Sequence, residues 1–119
     1  MGLIMRYRIY IAGPITLGDH YENLGQAVRL QCDLMALGYS CFNPMLSMTM
    51  PAKFSWAVWL DCCLPWVEVA DILYRLPGKS RGADREVEHA RKHGITVVSS
   101  ITELQSAVAH HEAAARGEI

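Results

Sequence analysis

The sequence predicts an α/β fold: a three-layer, doubly wound (flavodoxin-like or Rossmann-like) parallel sheet. About four strands are expected in the order 2-1-3-4, with helices on both faces. Three observations predict it. Short β-rich runs alternate with amphipathic helical stretches along the chain. Glycine or proline closes each stretch, at Gly13-Pro14, Gly38, Asn43-Pro44, Pro77-Gly78 and Gly94. A length of 119 residues, 51% of them hydrophobic, fits one domain over residues 1–119 with a modest core.

The first strand is expected at Tyr7 to Ala12, ending at Gly13-Pro14. Residues 20–37 place Leu24, Ala27, Val28, Leu34 and Leu37 at helical spacing, with Gly38 as the stop. Tyr39 to Phe42 is a short second strand. Met45 to Phe54, with three methionines, reads as a long loop, and loops of that length are commonly functional or lids. A helix begins near Ser55 and carries Trp56, Val58, Trp59 and Leu60; Pro65 is expected to kink or restart it. Asp71 to Leu76 is the third strand, residues 81–92 the third helix, and Ile95 to Val98 the fourth strand. A last helix spans 101–115, capped by Ser100 or Thr102, with 116–119 as a frayed tail.

Formal charge is -1, so no basic excess exists to neutralise a duplex, and polymeric nucleic acid is not an expected partner. No stretch is apolar and long enough to span a bilayer, and the first ten residues make no signal peptide. Four cysteines, at positions 32, 41, 62 and 63, read as reduced, mostly buried thiols of a cytoplasmic protein. Five histidines show no metal pattern: His89 and His93 lie four apart on one helix, but the sequence presents no third ligand. No metal and no cofactor is expected.

In a doubly wound sheet, ligands sit beyond the carboxyl ends of the strands where the strand order reverses. Here that point lies between the first and third strands, where the loops 13–19 and 76–82 meet. Glu86 follows, at the border of the helix face formed by Ala83, Val87 and Ala90. A carboxylate fixed there can act as a nucleophile; the alternative is an early-turn glutamate that favours the helix dipole. Gly78-Lys79-Ser80-Arg81-Gly82 is a candidate anion site at a helix start, without the glycine spacing of a Walker A loop. A capping serine followed by a solvated arginine explains it equally well. Among the other carboxylates, Asp71 opens a strand away from the cleft, Asp84 sits in a first helical turn, and Asp61 neighbours Pro65. Tyr10 is either a core tyrosine or one presenting its hydroxyl to the cleft. Trp56 and Trp59 either pack in the core or stack on a base.

Three segments together resemble the nucleoside 2-deoxyribosyltransferase-like superfamily: IYIAGPIT at 9–16, FNPMLS at 42–47, and the block from Trp56 to Val98. The most specific piece is LPGKSRGADREVEHA at 76–90. The resemblance implies cleavage or exchange of the N-glycosidic bond of 2-deoxynucleosides or their 5-monophosphates. The pattern Ser-x-Gly-x-x-x-Glu-x-x-x-Ala maps onto Ser80, Gly82, Glu86 and Ala90, which makes Glu86 the nucleophile. Tyr10 positions the carboxylate. Gly13, Pro14, Thr16, Asn43, Ser80, Arg81 and Gly82 bind substrate, with Ser80 on a phosphate. The partner is then a small deoxynucleoside or deoxynucleotide, bound by a homo-oligomer whose subunits complete one another's sites.

Two positions depart from the family pattern. An aspartate is expected eight residues before Asp71, where Cys63 stands, and Met45 replaces a histidine. Asp61 is the nearest carboxylate and the nominee for general acid. The competing expectation is a nucleotide-binding module without turnover, favoured by Cys63. A third is a structural oligomerisation domain, resting on exposed Met45, Met48 and Met50.

Overall fold

The computed structural model describes residues 7–15, 17–49 and 54–119. Along the chain run β1 (Arg8–Ala12), α1 (His20–Ala36), β2 (Ser40–Phe42), a 3-10 helix (Pro44–Thr49), α2 (Trp56–Glu68), β3 (Ile72–Arg75), α3 (Arg81–Lys92), β4 (Thr96–Val98) and α4 (Ile101–Ala115). The strands form one parallel sheet in the order β2-β1-β3-β4, the order the sequence predicts. Tyr10 lies between Phe42 on one side and Leu73 on the other, and Ala12 pairs with Arg75.

Alternation along the strands divides the core between two faces. Ile9, Ile11, Ile72, Tyr74 and Val98 face α1 and α4, meeting Ala27, Leu30, Leu34 and Leu104. Tyr10, Ala12 and Leu73 face α2 and α3, meeting Cys63, Val67, Ala83 and Ala90. Small alanines on α3 let that helix sit close to the sheet, so a side chain between them is held against β1.

Side-chain caps set the helix starts: Asp19 for α1, Ser55 for α2, Ser80 for α3 and Ser100 for α4. Thr102 lies inside α4. Asp71 accepts the Arg8 amide at 2.7 Å and so ties the amino end of β3 to that of β1. Residues 116–119 leave α4 through a capped turn in which the Glu118 amide reaches the Ala113 carbonyl at 3.0 Å.

Four expectations are corrected. The expected loop from Met45 to Phe54 begins instead as the 3-10 helix Pro44–Thr49: the Asn43 side chain accepts the Met45 amide at 3.1 Å and starts the turn. Residues 50–53 lie outside the described residues. Met45 is 1% exposed and belongs to the core, so it gives no support to an oligomerisation surface. The Met48 side chain and Met50 lie outside the described residues. α2 runs through Pro65 to Glu68 as one helix, so the chain does not restart there. Pro65 and Asp61 are both exposed, so water can satisfy the Asp61 carbonyl that the proline leaves unbonded. The four cysteines are free thiols, but only Cys63 is buried; Cys32 and Cys62 are exposed on the outer sides of α1 and α2.

Candidate active site

Glu86 lies in the second turn of α3, on the inner face between Ala83 and Ala90, and is 7% exposed. Asp84, not Glu86, takes the solvated first-turn position. The Tyr10 hydroxyl donates a hydrogen bond to Glu86 Oε2. Burial pushes the Glu86 carboxyl up to about 7, against the Tyr10 hydrogen bond and the Arg75 guanidinium, which both pull it down. Burial first, then the charge of Glu86, raises the Tyr10 phenol well above its ordinary range. Tyr10 therefore keeps its proton, and so remains a donor, at neutral pH.

Cys63 reaches the same point from α2. Its thiol packs in the same buried cluster as Tyr10 and feels the charge of Glu86. Burial raises it to about 11. Three elements, β1, α2 and α3, thus converge on one buried carboxylate, and its two polar neighbours, phenol and thiol, both hold their protons at neutral pH.

Arg75 was not singled out from the sequence. It ends β3, on the same sheet face as Leu73, and its guanidinium donates to the Leu76 carbonyl, to the Gly78 carbonyl at 2.9 Å and to Asp84 at 3.1 Å. One side chain so shapes the 76–80 loop and supplies the positive charge felt by Glu86. The signal that could have found it is an arginine at the carboxyl end of a central strand, where side chains line the mouth of a doubly wound sheet.

The loops at that mouth pack tightly. Gly78 has φ +108, and a Cβ there would lie 2.8 Å from Pro14 Cγ, so only glycine fits on both counts. A Cβ on Gly13 would come 3.0 Å from Leu76 Cβ. Ser80 Oγ accepts the Ala83 amide at 3.0 Å, which leaves its own proton to donate. Arg81 lies over the Trp56 ring, 5.2 Å from its centroid, and a Cβ on Gly82 would meet Trp56 Nε1 at 3.4 Å. Trp56 is therefore half-exposed at the start of α3, whereas Trp59 packs against the inner core.

The structure does not bring Asp61 to Glu86. It is exposed, and two positions along a helix turn a side chain about 200° from Cys63. Asn43 is buried and spends its side chain on the Met45 amide and on Gln31, 3.2 Å away. Thr16 lies outside the described residues.

The family model for a domain of unknown function, DUF4406, matches residues 7–99. The chain belongs to this family. No curated protein matches it. Among solved structures, the DUF4406 chain is similar to a 2-deoxyribosyltransferase from Bacillus psychrosaccharolyticus, with TM-score 0.61 and 23% identity over 76% of this chain and 69% of that one. It is also similar to a conserved protein from Enterococcus faecalis V583, with TM-score 0.66 and 21% identity over 99% of this chain and 77% of that one. The deoxyribosyltransferase-like α/β fold of the DUF4406 domain is thereby established. Among its described residues, no helix is long and apolar enough to cross a membrane.

The Tyr10–Glu86 bond makes a test that needs no substrate. Tyr10→Phe removes a donor that favours the carboxylate, so Glu86 is expected to titrate at higher pH than in the wild type. Carbon-13 NMR of the labelled glutamate side chains measures it. An unchanged or lower titration point would mean that the phenol does not hold Glu86.

Proposed function

We propose that this DUF4406 chain cleaves or exchanges the N-glycosidic bond of a 2-deoxynucleoside or its 5-monophosphate, with Glu86 as nucleophile. The observation that carries the reading is Glu86 itself: a buried carboxylate, aligned by the Tyr10 hydroxyl, beside the mouth of a deoxyribosyltransferase-like sheet. In the reaction, a Glu86 oxygen forms a bond to the anomeric carbon as the bond to the base nitrogen breaks, its electron pair leaving with the base. Water or a second base then attacks the same carbon and releases Glu86, with net retention.

Gly13 and Pro14, packed on Leu76 and Gly78, and Gly82, packed on Trp56, shape the mouth in which the sugar would sit. Ser80, Arg81 and the first-turn amides of α3 offer donors to a 5-phosphate. Exposed Val58, Trp66 and Val69 along α2 support self-association. The proton for the departing base is the weak point. Cys63 is raised to about 11 and the phenol higher still, so neither is an effective acid at neutral pH. Asp61 acts as general acid only if assembly brings it to a neighbouring site.

A second reading has a specific observation behind it: Cys63 in the acid's place favours a nucleotide-binding module without turnover. One experiment separates them. Each deoxynucleoside and its 5-monophosphate is incubated with the chain, and free base is followed by chromatography. Base release is the expected result. Ligand-induced thermal stabilisation with no base released from any substrate would sink the enzyme reading and leave the binding module.

A further inference from the structure

The carboxyl-terminal ends of α2 and α3 bring together Glu68, His89 and His93. His89 and His93 share one face of α3, with ring centroids 4.4 Å apart. Glu68 ends α2 and faces both rings: its Oε2 lies 3.1 Å from His89 Nε2 and its Oε1 3.5 Å from His93 Nε2. One atom from each of the three residues falls within 4.8 Å of the others. We propose that Glu68, His89 and His93 form a binding site for a divalent transition metal of the zinc type.

Three features support it beyond proximity. His93 Nδ1 lies 3.0 Å from the His89 carbonyl, which can only accept, so Nδ1 carries the proton. In the neutral ring, Nε2 then presents a lone pair to the Glu68 carboxylate. Two electron-rich atoms so placed repel one another unless a proton or a metal ion lies between them, and a backbone bond of this kind is the usual way a metal-binding imidazole is oriented. The spacing also fits. Tetrahedral zinc with bonds of ~2.0–2.1 Å sets neighbouring ligand atoms ~3.3 Å apart, and each imidazole already lies near that distance from one of the two Glu68 oxygens, so a small turn of the carboxylate brings one oxygen to both. Finally, the site lies where two helices end, and the negative ends of both dipoles favour a cation.

The third ligand was invisible in the sequence because it comes from another helix, 21 residues before His89. Three protein ligands leave a fourth position for water. The metal would clamp α2 to α3, the helices that carry Cys63 and Glu86, at the end opposite the mouth of the sheet. Its role is structural, and it does not depend on the chain being an enzyme.

The test is equilibrium dialysis of the full metal-stripped chain against zinc chloride alone, with cobalt(II) as a spectroscopic probe. Exposed Cys32 and Cys62 are changed to serine so that thiolates cannot compete. The expected result is one metal per chain, a rise in Tm on zinc addition, and a cobalt spectrum without sulfur-to-metal charge transfer. His89→Gln, His93→Gln and Glu68→Gln should each weaken binding by at least ~10-fold. All three are at least partly exposed, so the variants should fold, which circular dichroism checks. Absence of saturable binding, or binding that survives the double change His89→Gln with His93→Gln, would overturn the proposal.

Discussion

Glu86→Gln is expected to abolish base release, by at least ~10³-fold in kcat, while making the protein more stable above neutral pH. The two effects have one origin. Burial holds the Glu86 carboxyl at about 7 against an ordinary value of 4.5, so the folded chain resists the ionised form. Below the ordinary value, folded and unfolded chains are both protonated and the group costs nothing. As pH rises, the unfolded chain gives up its proton first, and stability falls until the folded carboxyl also ionises near 7. Above that the penalty is complete, roughly 3 kcal/mol for a shift of this size. Glutamine keeps the shape and can accept the Tyr10 hydroxyl, but it carries no charge and is a poor nucleophile. Thermal unfolding at about pH 5 and about pH 8 should show a stability gain that grows with pH. Glu86→Ala should gain less, because it leaves the Tyr10 hydroxyl unpartnered beside a cavity. Turnover that persists in Glu86→Gln would assign the chemistry to another residue. A stability difference independent of pH would mean that the carboxylate is not buried as described.

The layer order and strand order were legible because each rests on local pattern. Parallel strands buried on both faces read as short apolar runs, and glycine or proline closed them. Glu86 was legible as a candidate from its place beside Ala83 and Ala90. Its burial was not, because a helix wheel alone leaves its border residues open between core and solvent. The segment after Pro44 was misread for a similar reason. Its turn is started by the Asn43 side chain, a local hydrogen bond with no periodicity to announce it. Arg75 was hidden because two of its three partners are carbonyls of the following loop, which carry no residue signature, and the third, Asp84, lies nine residues on in another element. Likewise, the pairing of Glu68 with His89 and His93 depends on α2 and α3 lying side by side on one face of the sheet.

Cys63→Asp is expected to raise the rate of base release, by up to ~10²–10⁴-fold, at a cost in stability. Cys63 is 5% exposed and shares the buried cluster of Tyr10, close enough to Glu86 to feel its charge, so a side chain at this position needs no new path to the site. A carboxyl placed there is desolvated and stands beside the carboxylate of Glu86. Both conditions disfavour a second negative charge, so the two carboxyls share one proton, and the Tyr10 hydrogen bond and the Arg75 charge favour leaving it on the new group and the charge on Glu86. That is the acid a departing base needs, and neither the Cys63 thiol nor the Tyr10 phenol supplies it. Tm should fall, because a second ionisable group now occupies an apolar layer formed by Val67, Leu73 and Ala83. Cys63→Asn separates chemistry from shape: it places a similar polar group in the same space without a proton to give. The rate gain should therefore be confined to the aspartate variant, and it should fade as pH rises through the titration of the new carboxyl. Equal rates in the two variants would remove general acid catalysis from position 63. No base release from either would favour the binding module, with Tyr10 and Glu86 serving only to hold a ligand.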